Sequence, residues 1–209
     1  MAKEITIARE GSVRALNAVS TTGRREAQNL ALYRRYANDP DYKDVYYDTT
    51  SGGMMAVHKG HNWEHKENDL KRYFGNLTKE DLEKEFVMEV VRMGASAIMQ
   101  DESRRRPNGE KATALDVVLN GILTDIKSVT EHGETYKNQL KDKRKQLAKW
   151  NRENPSNKAR TITLYFHDPS MFSEDKMRAT LEEVRKHSVN YRKVMVAVKG
   201  ADRIRTYRV

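Results

Sequence analysis

Asp116, Asp125 and Lys127 stand close together in the stretch LDVVLNGILTDIKS, residues 115–128. Around them the stretch is apolar, broken in the middle by Asn120-Gly121. Two carboxylates brought face to face repel each other, and a divalent cation offsets that best. Hard oxygen ligands of this kind suit Mg²⁺ or Mn²⁺. The plain alternative is an edge hairpin whose aspartates face water, with Lys127 beside them as neutralising charge.

The geometry depends on the turn. Asn-Gly favours a type I′ hairpin, in which both central residues need positive φ. With Asn120 and Gly121 as the loop, Leu119 pairs with Ile122, Val118 with Leu123, Val117 with Thr124 and Asp116 with Asp125. Directly opposed residues have Cβ atoms about 4.5–5.5 Å apart. Side chains alternate along a strand, so Lys127 points the same way as Asp125. Leu115, Val117, Leu119, Ile122 and Ile126 fall on one face, and Val118 and Leu123 on the other. A hairpin apolar on both faces belongs in the middle of a sheet, under helices.

The element before the hairpin adds a third carboxylate. A helix is predicted from Thr78, as N-cap, to Gly94, as C-terminal stop. Leu82, Phe86, Val87, Val90, Val91 and Met93 share one broad arc of it, and Glu83 falls near the middle of that arc. Glu85 and Glu89 lie outside it or on its border. A glutamate on a buried stripe costs free energy unless it is paired or bound to metal. Its place near the helix N-terminus also complements the helix dipole.

A glutamate on a leading helix, an aspartate on a strand and Asp-x-Lys on the next strand together resemble the PD-(D/E)xK nuclease superfamily. That superfamily includes restriction endonucleases, archaeal Holliday junction resolvases and many toxin nucleases. Its core order, α-β-β-β-α-β, matches the order predicted from Thr78 to Phe166. The piece LEKEFVMEVVRMG is similar to the leading helix of the resolvases, whose glutamate falls on Glu83. LDVVLNGILTDIKS resembles the paired motif. The chain also resembles nuclease domains of contact-dependent inhibition toxins and phage-head-associated domains of Bacteroidetes, where GGMMAVHKGHNW finds its likeness. Leu115 stands where the family usually has proline, and Asp125 where glutamate is commoner, yet every carboxylate remains.

The resemblance implies a metal-dependent endonuclease that hydrolyses phosphodiester bonds in DNA or in tRNA and other RNA. In it Asp116, Asp125 and the Ile126 carbonyl hold Mg²⁺ or Mn²⁺, and Glu83 completes the shell. Lys127 stabilises the developing negative charge and orients the attacking water. Gln139 is the nearer candidate for the glutamine this family often carries on the next helix, whereas Gln146 reads as a solvated residue. Toxin-like relatives imply an immunity protein as partner, and phage-like ones a phage partner.

That next helix, residues 135–150, is strongly basic, with Lys137, Lys141, Lys143, Arg144, Lys145 and Lys149 against the lone acid Asp142. It reads as a phosphate-tracking face. Arg105, in a triple-arginine loop, and His58, beside the glycine turn Ser51-Gly52-Gly53, are further nucleic-acid contacts. The spacing of His58, His61 and His65 is a weak zinc signal.

The whole chain agrees with a polyanionic partner: 39 Lys+Arg against 30 Asp+Glu give 209 residues a net charge of +9. There are no cysteines, which excludes disulfides and thiolate zinc sites. No apolar run is long enough for a membrane span, and no signal peptide is visible, so the expected place is the cytoplasm, its own or that of a target cell. The fold expected is α/β (α+β), a restriction-endonuclease-like α-β-β-β-α-β core with a mixed central sheet flanked by helices. Residues 1–75 form an N-terminal helical arm and β-hairpin, and 76–209 the nuclease-like domain. In the arm, Ala27, Leu30, Tyr33 and Ala37 form the expected buried stripe. Three other readings compete: a metal-independent barnase-like ribonuclease, a non-catalytic nucleic-acid-binding or phage structural protein, and a homo-oligomer built through the N-terminal helices.

Overall fold

The structure, a computed structural model, describes residues 23–61, 79–130, 132–133, 135–187 and 189–209. Its helices are α1 (23–37), α2 (Lys79–Arg92), α3 (Lys137–Glu153) and α4 (Glu174–Arg185). Its strands are β1 (Tyr42–Tyr47), β2 (Met54–His58), β3 (Ser96–Met99), β4 (Val117–Leu119), β5 (Ile122–Val129), β6 (Thr161–Phe166), β7 (Lys193–Val198) and β8 (Arg205–Arg208). The expected N-cap Thr78, the connection that holds His65 and the first helical stretch all lie outside the described residues.

All eight strands make one mixed sheet in chain order. β2/β3, β5/β6 and β6/β7 are parallel, and the other pairs antiparallel. A parallel return needs a long crossover, which is why α2, α3 and α4 fall between those strands in the chain. The β1–β2 hairpin continues the same sheet through β3, so the sheet runs across the expected boundary near residue 75.

Strand alternation sorts the core into two layers. Phe86, Val87, Val90 and Val91 of α2 cover Val57, Ala97, Met99, Val117, Leu119 and Ile126. On the opposite face, Leu140 and Leu147 of α3 and Met177, Leu181 and Val184 of α4 cover Ile162, Leu164 and Val196. α1 lies on that second face, over Met54, Ala56 and Ile98. β6 is buried at every position, as a central strand between helical layers must be.

Two local devices fix the site's supports. Asn120 and Gly121 take φ of 49° and 77°, the positive values a type I′ turn needs. Asn120 Oδ1 also accepts the Ser96 N–H at 3.0 Å, tying the turn to β3. α2 ends at Gly94, φ 75°, where the Gly94 N–H meets the Val91 carbonyl and the Ala95 N–H the Val90 carbonyl. That is a Schellman closure, and it carries the chain straight into β3.

Two expectations are corrected. In α1, Ala27 and Ala37 are exposed, and the helix packs through Leu32, Tyr33 and Tyr36. The buried polar residue Asn29 sets this rotation, donating to the Gly52 carbonyl at 2.8 Å and the Gly94 carbonyl at 3.2 Å. Leu115 does not share a layer with Val117. It joins the α3 layer, because the chain enters β4 only at Val117.

Candidate active site

The β4–β5 ladder has the expected register but ends at Val117↔Thr124, one pair short of the aspartates. Asp116 therefore sits at the strand's entrance, where its side chain takes over the ladder's work: Oδ2 accepts the Ile126 N–H at 2.6 Å. Asp125, one residue earlier on β5, is wholly buried and faces the α3 layer. Lys143 reaches down from α3 between them, its Nζ 2.9 Å from Asp125 Oδ2 and 3.7 Å from Asp116 Oδ2. Gln146, one turn on, lies with Oε1 3.5 Å from that ammonium and donates Nε2 to the Ala114 carbonyl at 3.1 Å.

Asp116, Lys143 and Gln146 floor a cavity of about 650 Å³, with Asp125 beneath it. Glu83 and Glu102 form its acidic wall, and Lys111, Lys145 and Lys149 line it as cations. α2 supplies Glu83 because its first turn lies beside the open end of β4. α3 supplies Lys143, Gln146 and the basic rim because it crosses from β5 to β6 directly over Asp125.

The electrostatics are tightly coupled. Burial, then the neighbouring Asp116, push the Asp125 carboxyl well above its ordinary range, while Lys143 pulls the other way. Burial alone would lower the Lys143 ammonium, but Asp116, Asp125 and Glu83 together hold it above its ordinary value. Lys143 is therefore a fixed positive charge at the floor of the cavity. Asp125 is wholly buried, with Asp116 and Lys143 as its charged neighbours. Carboxylates packed this closely are costly without a cation; Lys143 supplies one here, and their oxygens are also the donor type that Mg²⁺ or Mn²⁺ takes.

Of the residues expected from sequence, Glu83, Asp116, Ile126, Lys143 and Lys145 line this one cavity, and Asp125 lies beneath it in contact with Lys143. Lys127 does not line it. It sits half-buried on β5, opposite Leu164 of β6. Gln139 also lies elsewhere, its Oε1 buried one turn and more before Lys143, and Gln146 is the glutamine at the cavity. Lys141 is exposed on α3, and Arg144 is half-buried with its carbonyl accepting from Asn190. Arg105 is exposed and donates to the Gly109 carbonyl. His58 meets Asp101 at 3.9 Å and stacks edge-on to Tyr42.

Three residues at the site were not given this role by sequence. Lys143 was legible: with Leu140 and Leu147 it completes an i, i+3, i+7 stripe on the buried face of α3. His61 and Glu102 were not. Each follows the end of a strand, where no periodicity marks a direction. The structure puts a ring nitrogen of His61 and a carboxylate oxygen from each of Glu83 and Glu102 within 4.8 Å of one another.

A separate polar cluster lies on the α2 face. Glu85 there meets the Tyr165 hydroxyl, His167 Nδ1 and Lys199 Nζ, the last at 2.8 Å. These three donors outweigh burial and hold the Glu85 carboxyl below its ordinary value.

Compared with known proteins, the chain matches no family model, no curated protein and no solved structure. No helix among the described residues is long and apolar enough to cross a membrane.

Proposed function

We propose that the chain is a metal-dependent nuclease of the PD-(D/E)xK type, hydrolysing phosphodiester bonds in nucleic acid. The observation that carries this reading is the meeting of Glu83, Asp116 and Lys143 at one cavity with a basic rim, with Asp125 buried beneath against Lys143. The order α2-β3-β4-β5-α3-β6 around it supports a restriction-endonuclease-like core. Asp116, Asp125 and Glu83 would hold Mg²⁺ or Mn²⁺. When bound, such an ion supplies charge neutralisation at the phosphate and lowers the pKa of a coordinated water.

The chain's own residues do the rest. Lys143 keeps its proton beside the aspartates and presents a positive charge to the pentavalent phosphate, the role expected of Lys127. Gln146 fixes the Lys143 ammonium from the side and anchors to the Ala114 backbone. Lys111, Lys145 and Lys149 hold flanking phosphates at the cavity mouth.

The test is cleavage of plasmid, single-stranded DNA and tRNA with Mg²⁺, Mn²⁺ or EDTA, comparing wild type with Asp125→Ala, Lys143→Met and Lys127→Ala. Metal-dependent cutting that Asp125→Ala and Lys143→Met abolish and Lys127→Ala retains is the expected result, and the substrate cut defines the activity. Cutting that survives EDTA rejects the metal mechanism and moves attention to Glu85 and His167. No cutting of any substrate rejects the nuclease.

A further inference from the structure

We infer that His61, Glu83 and Glu102 form a mixed nitrogen–oxygen site for a divalent transition cation of the Mn²⁺ class, next to the aspartate corner. The inference deepens the nuclease reading, since Glu83 faces both groups. It rests on geometry the aspartates do not share. Three chain segments deliver the ligands: the turn after β2, the first turns of α2 and the end of β3. Their donor atoms lie within 4.8 Å of one another. Bonds to such a cation are about 2.0–2.2 Å, so opposite ligands sit a little over 4 Å apart and adjacent ones near 3 Å. Bringing donors from as much as 4.8 Å apart to these spacings takes side-chain movements of up to roughly 1–2 Å.

The histidine is built for the role. Its side chain is wholly buried, and Nδ1 lies 3.1 Å from the Gln100 carbonyl and 3.3 Å from Glu102 Oε1. A carbonyl can only accept, so Nδ1 donates to it, and Nε2 is the nitrogen that would meet a cation. A backbone carbonyl that fixes the tautomer and ring plane is the usual support of a ligating imidazole. Glu83 and Glu102 both line the cavity, so the site opens to the same space as Lys143 and Asp116.

Nitrogen changes which metal is preferred. Mg²⁺ favours oxygen donors alone, whereas an imidazole raises affinity along the series from Mn²⁺ towards Cu²⁺. The aspartate corner and the histidine corner therefore differ in kind, one hard and one borderline. Lys111 Nζ, 3.7 Å from Glu102 Oε2, balances charge at the outer edge.

The experiment is titration of the metal-stripped full chain with Mn²⁺, followed by electron spin-echo envelope modulation of the bound ion. Wild type is expected to show modulation from a directly coordinated ¹⁴N. His61→Gln should lose it and weaken Mn²⁺ binding at least tenfold. Glu102→Gln should weaken binding with the nitrogen signal kept, and thermal melting checks that each variant folds. A bound Mn²⁺ with no ¹⁴N coupling in wild type overturns the inference, as does the absence of Mn²⁺ binding. The two readings fail separately. Nitrogen-ligated Mn²⁺ without cleavage sinks the nuclease and keeps this site. Cleavage with a nitrogen-free Mn²⁺ signal does the reverse.

Discussion

Replacing Lys143 with methionine keeps the stem of the side chain and deletes its charge. In the folded protein that side chain is 15% exposed, and its ammonium lies 2.9 Å from an Asp125 carboxylate that is wholly buried. The raw attraction is 332/(20 × 2.9), or about 6 kcal/mol at an effective dielectric near 20. Asp116 at 3.7 Å adds a comparable pull. Desolvation of the ions takes back much of this, and deleting one member of a buried pair costs about 3–5 kcal/mol. Asp125 can limit the loss by taking up a proton, so we expect Lys143→Met to lose about 3 kcal/mol near pH 8.

The pH dependence has a definite sign. Without Lys143 the folded-state pKa of Asp125 climbs further above its ordinary 3.8. Between those two values the native protein holds a proton that the unfolded chain has released. Stability therefore falls as pH rises through that window, and the variant's deficit is larger at pH 8 than at pH 5. Guanidinium unfolding at both pH values, with Asp125→Asn and the double variant, completes a cycle. The double variant should recover most of the loss, giving a coupling of at least about 2 kcal/mol. A coupling below about 0.5 kcal/mol, or a deficit equal at both pH values, would show that Lys143 does not neutralise the aspartates.

Three further outcomes are expected. Lys145→Ala and Lys149→Ala should each lower the slope of log binding constant against log salt by about 0.7–0.9, and an unchanged slope removes that cation from the phosphate path. Gly53→Ala would place a Cβ 2.0 Å from the Val91 carbonyl oxygen, so it should destabilise by about 1–3 kcal/mol in thermal melts; an unshifted melt contradicts the close approach of β2 to α2. The Thr50 N–H and the Ser51 hydroxyl hold the Asp48 carboxyl below 3.8, so its contribution is present above that pH and is lost as pH falls through the folded-state value. Asp48→Asn should flatten that acid limb in a melting series from pH 5 to pH 2, and an unchanged limb rules the turn out as its source.

The sequence alone determined the parts of this protein that depend on near neighbours. Asn120-Gly121 dictates the hairpin and its register, because few other pairs tolerate two positive φ angles. The 3.6-residue spacing of Leu82, Phe86 and Val90 makes α2, and it shows Glu83 on a buried face. The alternation around Asp125 turns that carboxylate inward, and the cations of α3 announce a polyanion. Tertiary structure decided what lies across from these groups. The ladder ends at Val117, so Asp116 holds a backbone amide instead of facing Asp125 across the ladder. The crossing of α3 over β5 brings Lys143, and not Lys127, to the aspartates. The packing of the β2 turn against the end of β3 brings His61 to Glu102 from segments 41 residues apart. Local sequence fixes where a side chain points from its own backbone. Which other backbone it meets depends on helix crossings and strand ends, and those are set by the packing of the whole core.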